Sequence, residues 1–122
     1  MAKPSRRSQR VADLVRAELS LLVLTEAHDP DLRRVTITDV EMPSDLKSAR
    51  VYFSALGGDE ERRLALEALR RAAGYLRGEV GRRCRLRFAP ELFFVADRSL
   101  ERGARIEELL NEVLPAEPKD EP

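Results

Sequence analysis

The chain has 122 residues, 43% hydrophobic and 36% charged, and its 22 basic and 22 acidic side chains cancel to a formal net charge of zero. This length and balance fit one domain around a single core, and no apolar run reaches the roughly 20 residues that a membrane-spanning helix needs. Cys84 and His28 are the only residues of their kind, which excludes an intrachain disulfide and a Cys/His metal cluster. The basic N-terminus leads into an amphipathic segment, not a signal-peptide core, so the expected location is the cytoplasm.

From Ser5 to Leu24, Val11, Leu14, Val15, Leu19 and Leu22 recur at helical steps, with Arg10, Asp13 and Glu18 opposite. His28-Asp29-Pro30-Asp31 ends that helix, because proline disfavours helical geometry in the residue before it. Arg34 to Val40 reads as a strand rich in β-branched residues, Pro43-Ser44-Asp45 as a turn, and Ala49 to Ala55 as a second strand with one buried face. After Gly57-Gly58, Asp59 is the expected N-cap of a second helix, whose core stripe is Leu64, Ala65, Leu69, Ala72, Leu76 and Val80.

Gly74, Gly78 and Gly81 interrupt this stripe, and helical glycine costs roughly 1 kcal/mol relative to alanine, so a kink with a second helical piece is expected. Leu86 and Phe88 resume alternation, and Leu92 to Ala96 reads as a strand in the sheet interior. Ser99 is placed to cap a last helix through Ile106, Leu109, Leu110 and Val113, ending at Pro115. The order is helix, strand, strand, helix, kinked helix, strand, helix: an α+β domain over residues 1–114, with helices on one face of a three-stranded sheet. An acidic tail, 115–122, reads as disordered.

Positive charge is concentrated. Between Arg62 and Arg87 nine arginines face only two acids, Glu67 and Glu79. Arg70, Arg71, Arg77, Arg82 and Arg83 fall on the polar side of the glycine-interrupted helices, and Arg85 and Arg87 on alternate positions of the expected strand beyond. Neighbouring guanidiniums sum their fields and bridge phosphates, so this is a candidate nucleic-acid surface. Lys3, Arg6, Arg7 and Arg10 form a second cluster able to serve as an arm. The competing reading is a solvated face with intrahelical pairs, Glu67 to Arg70 or Arg71 and Glu79 to Arg82 or Arg83. The aromatics mostly fit core positions, which favours backbone recognition over base stacking.

Catalysis has little raw material. His28 lacks a nucleophile or orienting partner, Cys84 reads as a buried small hydrophobe, and the carboxylates Asp39, Glu41, Asp45 and Asp97 match no metal loop. No phosphate-binding glycine loop is present. No enzyme, cofactor or metal is expected.

Several segments together resemble the ribosome-binding factor A family: Arg10-Val11-Ala12, Asp29-Pro30, Val35-Thr36-Ile37-Thr38, Asp45-Leu46, Ala49-Arg50-Val51-Tyr52, Ala72-Ala73-Gly74, Leu86-Arg87, Pro90-Glu91-Leu92, Phe94, Asp97, Ser99 and Gly103. The resemblance runs from about Arg6 to Leu110 and implies a type II KH-like fold. In that family an Ala-x-Gly kink, matched by Ala72-Ala73-Gly74, replaces the Gly-x-x-Gly loop that clamps nucleic-acid backbone in other KH domains.

The implied function is binding to the free immature 30S ribosomal subunit through 16S rRNA, with help in late maturation that includes the 5′ region, and release before translation. Family members are linked to growth in the cold and to assembly GTPases. The expected RNA-binding residues are Arg6, Arg7, Arg10, Arg70, Arg71, Ala72, Ala73, Gly74, Arg77, Arg82, Arg83, Arg85 and Arg87, on a monomer that touches no membrane. The alternative is a protein-interaction module that presents the arginine face to an acidic partner.

Overall fold

A computed structural model describes residues 4–25 and 28–98. The expected last helix from Ser99 and the tail 115–122 lie outside the described residues. Helix α1 spans Arg6–Thr25, strand β1 Val35–Glu41, strand β2 Ser48–Ala55, helix α2 Asp59–Arg83 and strand β3 Glu91–Ala96.

The start of α1 is fixed locally by two serines. The Ser8 backbone N–H donates to Ser5 Oγ at 3.1 Å, and the Ser5 N–H donates back to Ser8 Oγ at 2.6 Å. This reciprocal cap satisfies amides the helix leaves unpaired, so Ser8 tolerates complete burial. Ala12, Val15, Leu19, Leu22 and Val23 then face the core, whereas Leu14 stays 44% exposed. Asp29 Oδ1 accepts the Asp31 amide at 3.0 Å and opens a single 3-10 turn, Leu32–Arg34, that leads into β1.

The sheet order is β1-β2-β3, with β1 antiparallel and β3 parallel to β2. A bulge between Ile37 and Asp39 shifts the β1 register, so burial falls on Val35, Ile37 and Val40 while the intervening residues face outward. Ala49, Val51 and Phe53 of β2 are completely buried beneath the helices. Leu92, Phe94 and Ala96 of β3 pack against the same core. Both helices cover this face, α1 over β1 and α2 over β2 and β3. The opposite face carries Glu41, Arg50, Tyr52, Phe93 and Val95.

Four expectations need correction. The second helix does not break at Gly74: Asp59–Arg83 is one continuous 25-residue helix, because Ala65, Leu69, Leu76 and Val80 anchor it on the buried side and outweigh the glycine propensity cost. Its N-cap is Gly58, whose amide donates to the Glu61 carboxylate at 2.7 Å, while Asp59 pairs with Arg62. Leu86 and Phe88 lie in the connection after α2, not in a strand. β3 is an edge strand with alternating burial, since among the described residues its only neighbour is β2.

The central strand should dominate stability. Phe53→Ala is expected to cost about 3–5 kcal/mol in urea unfolding, by lost burial and a cavity under α1 and α2, whereas Thr36→Ala on the outer face should change stability by less than about 0.5 kcal/mol.

Candidate nucleic-acid interface

Helical periodicity decides which residues α2 presents to solvent. Arg70, Gly74, Arg77 and Gly78 stand at i, i+4, i+7 and i+8, opposite the apolar stripe, and all four are exposed. Arg71 and Arg82 flank this row, their side chains 59% and 69% exposed. Ala73 is partly exposed beside the row, whereas Ala72 packs against the core on the other side of the helix, so neither forms its centre.

The glycines have no internal reason to be there. A Cβ built on Gly74 or Gly78 meets nothing within 4 Å, so alanine would fit at both and favour the helix. Gly81 differs: its Cβ would lie 3.2 Å from Ala89, where the chain returns across α2. The bare backbone at Gly74 and Gly78 leaves a shallow notch between arginines, open to close approach from outside.

The arginines fall into two groups. Arg62 and Arg63 are neutralised within the first turns by Asp59, Glu60 and Glu67. Glu79 accepts from both Arg82 and Arg83, which holds its carboxyl below the usual range. Arg83 also reaches Glu18 on α1 at 3.6 Å. Arg71 donates to Asp29 at 2.6 Å and lowers the Asp29 pKa, the Asp31 amide adding to the effect. That bond ties α2 to the loop after α1. These exposed pairs are worth little, so a phosphate can displace them.

Arg70 has no ion pair among the described residues. Arg77 Nε donates to the Ala89 carbonyl at 3.3 Å, and Arg87 lies over the Phe88 ring at 5.5 Å. The Arg77 contact brings the connection that carries Arg85 and Arg87 beside the exposed row.

Arg85 stands out. The Leu86 N–H donates to Gly81 O at 2.9 Å and the Arg85 N–H to Arg82 O at 3.2 Å, which closes α2 with a Schellman motif. Its left-handed position, φ 54°, is held by Arg85 where glycine is the usual occupant. An L-residue there costs about 1–2 kcal/mol, a strain of the kind that clusters at binding sites.

Arg6, Arg7 and Arg10 do not join this row. Arg83 meets Glu18 and Arg71 meets Asp29, so the two helices run antiparallel. The start of α1 therefore projects past the end of α2, beside Asp39 to Met42. The three arginines can extend a contact only as a separate patch. Of the features on the row, Gly78 went unassigned in the sequence. Its spacing of four from Gly74, on the polar side, was the available signal.

Cys84 is 8% exposed, and burial pushes its thiol pKa up, opposite to what a nucleophilic cysteine needs. His28 is exposed in the loop before β1. Among the described residues no group of three His, Cys, Asp or Glu could hold a metal ion, and no helix is long and apolar enough to cross a membrane.

Comparison with known proteins gives this geometry its context. The family model described as Ribosome-binding factor A matches residues 7–110. The chain belongs to the ribosome-binding factor A family. It is 47% identical over 115 residues to the ribosome-binding factor A of Desulfitobacterium hafniense, covering 94% of this chain and 92% of that one. The crystal structure of ribosome-binding factor A from Thermus thermophilus is similar with a TM-score of 0.65 and 28% identity, covering 75% of this chain and 98% of that one. A homology model of the Thermus thermophilus factor, fitted into a cryo-EM map of a 30S–RbfA complex, is similar with a TM-score of 0.52 and 29% identity over 70% of this chain and 93% of that one.

Three variants test this reading of the site. Gly74→Ala and Gly78→Ala should each raise stability by about 0.5–1 kcal/mol in urea unfolding and weaken RNA binding several-fold. Arg85→Gly should do the same by relieving about 1 kcal/mol of strain. Lower stability with unchanged binding would remove the notch and Arg85 from the interface. Alkylation of Cys84 at pH 8 should be at least about tenfold slower in the folded protein than in 6 M urea, since burial suppresses both thiolate and access.

Proposed function

We propose that this protein is a ribosome assembly factor that binds the free immature 30S subunit through 16S rRNA and assists late maturation, including processing of the 16S rRNA 5′ region. The observation that carries the reading is the exposed row on α2, where Arg70 and Arg77, neither paired with a carboxylate among the described residues, flank a glycine notch. Membership of the family supports it, as does the likeness to a factor fitted into a 30S complex. The protein works as a cytoplasmic monomer, without a catalytic group, and contributes to growth in the cold.

The physical task is selective holding. Guanidiniums clamp phosphates of two converging backbone segments, while the notch lets one of them approach the helix axis more closely than any side chain would permit. A factor that binds an immature RNA conformation more tightly than the mature one shifts the population toward it and leaves when that difference disappears. A fourfold difference corresponds to only about 0.8 kcal/mol, so an assembly GTPase that remodels the subunit is a suitable trigger for release before translation.

Sucrose-gradient sedimentation with purified subunits tests the assignment. Wild type should travel with free 30S particles, and folded Arg70→Ala/Arg77→Ala should stay at the top. In a salt series each lost phosphate contact should lower the slope of log K against log salt by roughly 0.7–0.9. Arg82→Ala/Arg83→Ala should have a smaller effect, because those side chains are shared with Glu79. Co-sedimentation that survives RNase, with an unchanged salt slope, would instead favour an acidic protein partner for the same arginines.

A further inference from the structure

The sheet face turned away from the helices has a chemistry opposite to that of α2. Its register sets two cross-strand rows side by side, Glu41 against Arg50 against Phe93, and Asp39 against Tyr52 against Val95. The β1 side is acidic and the β3 side apolar. Phe93 is 54% exposed and Val95 38% exposed, neighbours on one strand whose alternate residues, Leu92, Phe94 and Ala96, pack against the core. Glu91, also exposed, stands one row further along β3, so three carboxylates on the strands face a single guanidinium.

Part of the acid is already organised. Tyr52 Oη donates to Glu41 Oε1 at 3.1 Å, and Arg50 approaches the same oxygen at 3.8 Å. At the Phe93 end the face opens into a cleft of about 620 Å³ between Phe93 and the turn that carries Met42 and Pro43. Within the cleft Glu41 and Asp45 are balanced by Lys47 and Arg50, so the excess of carboxylate on the face comes from Asp39 and Glu91 to either side of an apolar seat at Phe93.

We propose that this open sheet face docks a lysine- and arginine-rich polypeptide segment of a protein on the small subunit, with an apolar side chain of that segment seated against Phe93. The proposal rests on the small-subunit reading above and adds a second, protein-directed contact to the RNA-directed one.

Charge decides among the possible occupants. RNA phosphates would be repelled by Asp39, Glu41 and Glu91. A second copy of this face would set the same carboxylates against each other. A basic segment satisfies both halves: its cations meet β1 while its apolar side chain covers Phe93 and Val95. The two faces then divide the work, with arginines on RNA and carboxylates on protein.

The test uses the full chain on purified 30S subunits. Asp39→Lys/Glu41→Lys alters only exposed side chains, and its folding is checked by thermal melting. A basic protein partner predicts roughly tenfold weaker subunit binding for this variant, because attraction becomes repulsion. An RNA-facing surface predicts stronger binding, because net positive charge rises. p-Benzoylphenylalanine incorporated at position 93 should cross-link to a lysine- and arginine-rich stretch of a subunit protein, mapped by mass spectrometry. Cross-links to rRNA alone, or none, or equal or stronger binding of the double variant, would overturn the docking face. Failure of wild type itself to bind 30S would instead remove the small-subunit function and this partner with it.

Discussion

Everything distinctive about this molecule depends on how α2 divides its circumference. Leu69, Leu76 and Val80 are buried to within 1% of complete enclosure, and they fix the rotation of a 25-residue helix against the sheet. With rotation fixed, Arg70, Gly74, Arg77 and Gly78 have only one place to go. The interface is therefore a by-product of core packing. Its polar members cost the fold little because they are exposed, whereas the same arginines turned inward would each demand a buried counter-charge.

The same packing explains why glycines are tolerated in mid-helix. Propensity disfavours Gly74 and Gly78 by roughly 1 kcal/mol each, but the burial of one leucine side chain contributes about 1.5–3 kcal/mol, so the stripe outweighs the defect. A continuous helix with a notch results, not a joint between two helices. Such a stiff surface would lose less conformational entropy than a flexible loop on engaging the RNA backbone proposed for it.

Much of the architecture was legible in the sequence because it follows from periodicity. The steps of three and four in α1, the alternation from Ala49 to Ala55 and the punctuation at Asp29-Pro30 and Gly57-Gly58 each carry a local physical cause. What misled the reading was the local weight of particular residues. Three glycines signalled a break that tertiary packing overrides. Leu86 and Phe88 alternated like a strand, yet Arg85 in left-handed geometry turns the chain there. Leu92 to Ala96 was apolar enough to read as an interior strand, but its outward residues Phe93 and Val95 mark an edge strand with an open face.

The site was less legible than the fold. Spacing anticipated Glu79 with Arg82 or Arg83, as found, but it also offered Glu67 to Arg70 or Arg71; the structure gives Glu67 to Arg63 and leaves Arg70 and Arg77 meeting no carboxylate among the described residues. Nor could the sequence place Arg6, Arg7 and Arg10 beyond the end of α2. The proposed function places the outer face of α2 against ribosomal RNA. The most direct measurement is hydroxyl-radical cleavage of rRNA in purified 30S subunits by an iron chelate tethered through Arg71→Cys, with Ser54→Cys on the open sheet face as the control, both in a Cys84→Ala background. Strong, localised cuts in 16S rRNA from position 71 and few from position 54 are predicted; cuts from position 54 alone would contradict the account.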